Sequence, residues 1–96
     1  MSRSDNRRAK VIVEVLTAAG CRHCRRTQAL VKDAIAEIND HRLLYREINI
    51  LDEIDYAVQL GLISAPGIAV NGELVFPARP SKAKLMRLIR DRLAEC

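Results

Sequence analysis

The chain has no tryptophan, and only three of its 96 residues are aromatic: Tyr45, Tyr56 and Phe76. A core built on large rings is therefore excluded, and the interior has to be packed from aliphatic side chains. The same scarcity weakens a nucleic-acid reading of the +4 net charge, because unpaired bases stack on aromatic rings. The basic residues Arg7, Arg8, Arg22, Arg25, Arg26, Lys82, Lys84, Arg87, Arg90 and Arg92 are spread along the chain with no such rings interleaved and no binding motif. We read most of them as solvated faces and expect no nucleic-acid partner. No stretch approaches the ~18 apolar residues of a membrane span, so no membrane partner is expected either. Three cysteines are too few for the disulfide framework of a small secreted scaffold, which points to a cytoplasmic chain with one working pair. Arg7, Arg8 and Lys10 do precede an apolar stretch ending in Ala18-Ala19-Gly20-Cys21, a weak likeness to a lipoprotein signal. Glu14 interrupts that stretch, and cleavage there would delete the first candidate strand, so the segment is assigned to the fold.

What is present is concentrated in Cys21-Arg22-His23-Cys24. Two thiols three residues apart can exchange electrons as dithiol and disulfide. Upstream, Lys10-Val11-Ile12-Val13-Glu14-Val15-Leu16 is a β-branched run of strand length; downstream, Leu30, Val31, Ala34, Ile35 and Ile38 recur at helical spacing. The pair thus marks a strand-to-helix junction, where unpaired N–H groups and the positive end of the helix dipole favour a thiolate.

A chain of this length makes one domain, expected over residues 10–96 after a polar, disordered tail over 1–9. Asn39-Asp40-His41 closes the first helix, and Leu43 to Ile50 reads as a second strand, placed parallel to the first by the crossover helix. Asp52 is a candidate N-cap for a short helix through Leu60, with Ile54, Ala57, Val58 and Leu60 offered for burial and Gly61 as a left-handed C-terminal residue. Ala65-Pro66-Gly67 leads into Ile68-Ala69-Val70, then Asn71-Gly72 and Glu73-Leu74-Val75-Phe76, where Asn-Gly signals a type I′ hairpin. Ser81 can cap a last helix with Leu85, Leu88, Ile89 and Leu93 on one stripe. The order is βαβαββα.

Over residues 10–93 these features, in this order, resemble the thioredoxin-like superfamily, in particular its small, glutaredoxin-sized redox proteins. The resemblance implies an α/β thioredoxin-like fold, with a four-stranded mixed sheet of order 2-1-3-4 flanked by helices on both faces. It implies a thiol–disulfide oxidoreductase acting on protein or small-molecule disulfides without a bound cofactor. Cys21 is then the exposed nucleophile and Cys24 the buried resolving thiol, an assignment that exchange chemistry also favours. Pro66 is expected to follow a cis bond, leaving the Ala65 backbone open to a substrate strand. Arg22, His23 and Gly67 complete the expected substrate contacts. Arg22 stands where many members have proline, His23 matches a member variant, and Gly67 replaces a frequent threonine, which predicts a more open groove beside Pro66. Gly20 and Val15 stand where typical thioredoxins have tryptophan and a buried acid. The glutaredoxin Gly-Gly-x-Asp segment is absent around Ala78 to Lys82, so the electron donor is left as a reductase or glutathione, and the protein is expected to be a monomer.

Two other readings stay open at this level. A Cys-x-x-Cys is half of a zinc site, but no second ligand pair exists, and His41 should lie roughly 25 Å away at ~1.5 Å per helical residue. No metal is expected. A redox-inactive adaptor binding a partner near Ala65 and Pro66 is the rival from another class. His41 is read as a solvated helix end and Cys96 as a terminal thiol. The stripe of Lys82, Lys84, Arg87, Arg90 and Arg92 is read as a solvated face, and Tyr45, Tyr56 and Phe76 as core or edge packing.

Overall fold

The computed structural model describes residues 10–62 and 64–95; the expected tail over 1–9, Ile63 and Cys96 lie outside them. Seven elements follow in the expected order: β1 (Val11–Thr17), α1 (Arg22–Ile38), β2 (Leu43–Asn49), α2 (Ile54–Leu60), β3 (Gly67–Val70), β4 (Glu73–Phe76) and α3 (Lys82–Glu95). The sheet order is β2-β1-β3-β4, with β1 parallel to β2 and antiparallel to β3. This is the α/β thioredoxin fold.

β1 is central, and its alternation builds two cores. Val11, Val13 and Val15 point to one face, where Val31 and Ala34 of α1 and Leu85, Met86, Ile89 and Leu93 of α3 close over them. Leu16 points to the other face and packs with Ile48, Ala57 and Ala69 beneath α2. Each fully buried aliphatic contributes about 1.5–3 kcal/mol relative to exposure, so the larger α1–α3 face dominates the stability.

Turn chemistry sets the connections. Asn39 ends α1 in the left-handed region, at φ 54°, and Gly61 ends α2 at φ 82°. Asn71 and Gly72 both take positive φ, as a type I′ turn requires. The Asn71 side chain also accepts from the Ile12 N–H at 2.8 Å, pinning the hairpin to β1. Ser81 caps α3 by accepting from the Lys84 N–H at 3.2 Å.

The start of α2 differs from expectation. Asp52 does not cap it: Glu53 is the N-cap residue, without a side-chain bond. The reason lies upstream, where the Asn49 side chain accepts from the Leu51 N–H and its carbonyl accepts from Asp52 and Glu53, carrying the turn one residue further. The expected burial of Ile54 and Val58 is also corrected, since they are 56% and 69% exposed. Ala57, Tyr56 and Leu60 meet the sheet instead, and Ile54 and Val58 fall on the opposite side of the helix.

Candidate active site

Three chain segments converge at one edge of the sheet. Thr17, the last residue of β1, pairs with Asn49, the last of β2, while Leu16 pairs with Gly67, the first of β3. The segments running to Cys21, out of Asn49 and in from Pro66 therefore all lie at that edge.

From Thr17 the chain turns through Ala18, Ala19 and Gly20, with Gly20 at φ 77° and the Cys21 N–H donating to the Ala18 carbonyl at 3.3 Å. Cys21 is the N-cap of α1 in an extended conformation, and its Sγ accepts from the Cys24 N–H at 3.1 Å. Cys21 and Cys24 form a disulfide, with Cα atoms 5.3 Å apart. Their environments are unequal: Cys21 is half-buried, whereas Cys24 is 3% exposed. An incoming sulfur can reach Cys21, while Cys24 offers it almost no open surface. Thr27, fully buried one turn on, donates to the His23 carbonyl at 2.9 Å.

The local electrostatics are one-signed. Arg22, His23, Arg25 and Arg26 are exposed on the first turns of α1, and the first turn holds no acid. The three arginines oppose the helix dipole, at a cost of about 0.3–1 kcal/mol each, but they favour a sulfur anion at the same place. A cleft of about 490 Å³ opens beside Cys21, with Thr17, Arg22, Arg25, Gln28 and Asn49 supplying its polar walls.

Of the expected site residues, Cys21, Cys24 and Arg22 line this cleft. His23 is exposed nearby on α1 and does not line it. Ala65 and Pro66 are half-buried at the entry to β3, joined by a cis peptide bond. The space that a side chain at Gly67 would take is not left open. Gly67 is buried, and a Cβ built there would lie 2.6 Å from a Leu62 methyl, so the leucine fills that space. Gln28 and Asn49 were not foreseen. Gln28 was legible as the residue seven after Cys21 on one helix face, whereas Asn49 enters only through the β1–β2 register.

A second cluster was also missed. Glu14, 3% exposed, forms an ion pair with Arg46 at 3.1 Å and accepts a hydrogen bond from the Tyr56 hydroxyl. Burial, and then the bond to Glu14, pushes the Tyr56 hydroxyl up to about 12. Glu14 lies on the face of β1 opposite Val15, so it does not replace a buried acid on the Val15 side. Its signal was a lone acid in an apolar strand, cross-strand from Arg46. Tyr56 is thus a hydrogen-bonding partner as well as packing. Among the described residues, no group of three or more His, Cys, Asp or Glu could hold a metal ion. No helix among them is long and apolar enough to cross a membrane.

A disulfide at a strand-to-helix junction, with one half-buried and one buried cysteine on this fold, defines a thiol–disulfide oxidoreductase. The family model described as thioredoxin domain matches residues 11–90, and the chain belongs to that family. It is similar to the thioredoxin of Methanocaldococcus jannaschii, 29% identical over 85 residues, covering 88% of this chain and 99% of that protein. It is likewise similar to a probable thioredoxin of Methanothermobacter thermautotrophicus, 31% identical over 83 residues, covering 86% of this chain and 96% of the relative. Among solved structures, chloroplastic thioredoxin z superposes with a TM-score of 0.71 at 16% identity, over 91% of this chain and 81% of that one. Mitochondrial thioredoxin 3 of Saccharomyces cerevisiae gives 0.67 at 17% identity, over 94% of this chain and 86% of that one. At those identities the structural likeness speaks for the fold alone.

Proposed function

We propose that the protein works as a disulfide reductase, with Cys21 as nucleophile and Cys24 as resolving thiol, recharged by a reductase or glutathione. The observation that carries this reading is the unequal exposure of two joined sulfurs. The Cys21 thiolate attacks a substrate disulfide and forms a mixed disulfide; Cys24 then attacks Cys21, and the reduced substrate leaves. In this reading the cleft beside Cys21, and the Ala65–Pro66 segment entering β3 at the same end of the sheet, supply the substrate contacts.

The test is turnover of 2-hydroxyethyl disulfide with dithiothreitol as donor. The wild type should exceed the uncatalysed rate, and Cys21→Ser should fall to it. Cys24→Ser should accumulate a covalent adduct on Cys21, visible by mass spectrometry and released by excess dithiothreitol. Turnover by Cys21→Ser, or an adduct located on another residue, refutes the assignment.

A further inference from the structure

The cleft beside Cys21 is walled by cations and amides. Arg22 and Arg25 both line it, and among the described residues neither is ion-paired, whereas Arg42, Arg46, Lys82 and Arg92 are each matched to a carboxylate. No acid lines it. Asp52, Glu53 and Asp55 border a separate hollow with Leu51. Gln28 and Asn49 add amide donors, and the volume of about 490 Å³ is that of a small-molecule site. A guanidinium matches a carboxylate with two parallel N–H···O bonds, which gives geometry as well as charge.

We propose that this cleft selects small disulfides carrying carboxylates close to the sulfur atoms, with Arg22 and Arg25 as the specificity-determining residues. The proposal rests on the reductase reading above and names its substrate class. Arg22 and Arg25 hold the carboxylate of one half while the Cys21 thiolate attacks the sulfur of that half. The substrate S–S bond breaks and the other half departs as a thiolate. The Cys24 thiolate then displaces the bound half, closing Cys21–Cys24. Two electrons pass from the dithiol to the substrate, and the two protons given up by the cysteines balance the two thiols formed.

The experiment uses the full chain and three disulfides sharing one skeleton: 3,3′-dithiodipropionate (anionic), 2-hydroxyethyl disulfide (neutral) and cystamine (cationic). Dithiothreitol is the donor, and the uncatalysed rates are subtracted. At low ionic strength kcat/KM for the anion should exceed that for the cation by about tenfold or more, since each exposed pair contributes up to about fivefold. Added salt should shrink the ratio. In Arg22→Glu/Arg25→Glu the ratio should fall at least about tenfold or invert, while Arg90→Glu on α3, outside the cleft, should retain it. A change in the Cys21 thiolate population multiplies every rate and cancels in the ratio. Turnover without charge preference, or a ratio unmoved in the double variant, overturns the inference and leaves the reductase reading standing. Failure to turn over any of the three overturns both.

Discussion

Replacing Tyr56 with Phe removes one oxygen from the molecule, and that oxygen bonds a carboxylate already drawn out of water. Glu14 is 3% exposed and has two partners, the Tyr56 hydroxyl and Arg46. A hydrogen bond to a charged group contributes about 1.5–3 kcal/mol. Arg46 stays in place but its side chain is 54% exposed, so its charge is partly screened and the loss falls near ~2 kcal/mol. For a domain of this size that lowers Tm by roughly 8–16 °C, at about 4–8 °C per kcal/mol. The assay is thermal and urea unfolding of the oxidised protein, with the urea slope unchanged and the midpoint lowered. Glu14→Leu and the double variant complete a cycle, in which the coupling should exceed about 1 kcal/mol. The pH dependence follows from the raised hydroxyl. Between 10 and about 12 the unfolded chain releases the Tyr56 proton while the folded chain keeps it. The Tyr56 contribution is therefore whole below pH 10 and lost as pH rises through that window, and the gap between wild type and Tyr56→Phe should narrow there. A Tm within about 2 °C of wild type, with additive single effects, refutes the argument and shows that Arg46 and solvent suffice for Glu14.

The Cys21 thiol should titrate below a free cysteine's ~8.5, read as thiolate absorbance in Cys24→Ser; a midpoint at or above that value means burial outweighs the surrounding cations. Asn71→Ala should cost about 1–2 kcal/mol by urea unfolding, because it removes the bond accepted from the Ile12 N–H and puts a Cβ residue with no amide at φ 51°. An unchanged midpoint there would show that the Asn71 carboxamide adds nothing to the hairpin. Ile89→Ala should cost about 2–5 kcal/mol, as a fully buried side chain between α3 and the sheet, and a cost below 1 kcal/mol would mean that face collapses around the gap.

The β1 pattern was legible because a β-branched run of strand length lets Val11, Val13 and Val15 alternate towards one core, and the α1 pattern because Val31 and Ala34 fall on one helical stripe. The dithiol and the hairpin were legible because their chemistry is local. α2 was not, since Ile54, Ala57, Val58 and Leu60 spread over nearly half the circumference of a two-turn helix, too wide an arc to name the buried side. Only the sheet beneath decides that Ala57 and Leu60 turn inward and Ile54 and Val58 outward. The Glu14–Tyr56 pair and the Asn49 wall of the cleft depend on register and on separations of 42 and 32 residues, which no local window holds. Gly67 was misjudged for a related reason. A missing side chain reads as space, but the space belongs to Leu62.

β1 is clasped on both sides, by β2 and by β3, whereas the first turn of α1 is tied at its start by the Cys21–Cys24 bond. The working cycle cuts that tie and remakes it without touching the ladder. Backbone amide exchange should therefore divide the two: β1 amides should exchange at the same slow rate in both redox forms, while those of Arg22 to Arg25 quicken when the thiols are free. That pattern would mean that each cycle loosens and retightens a single helical turn on a strand that does not open.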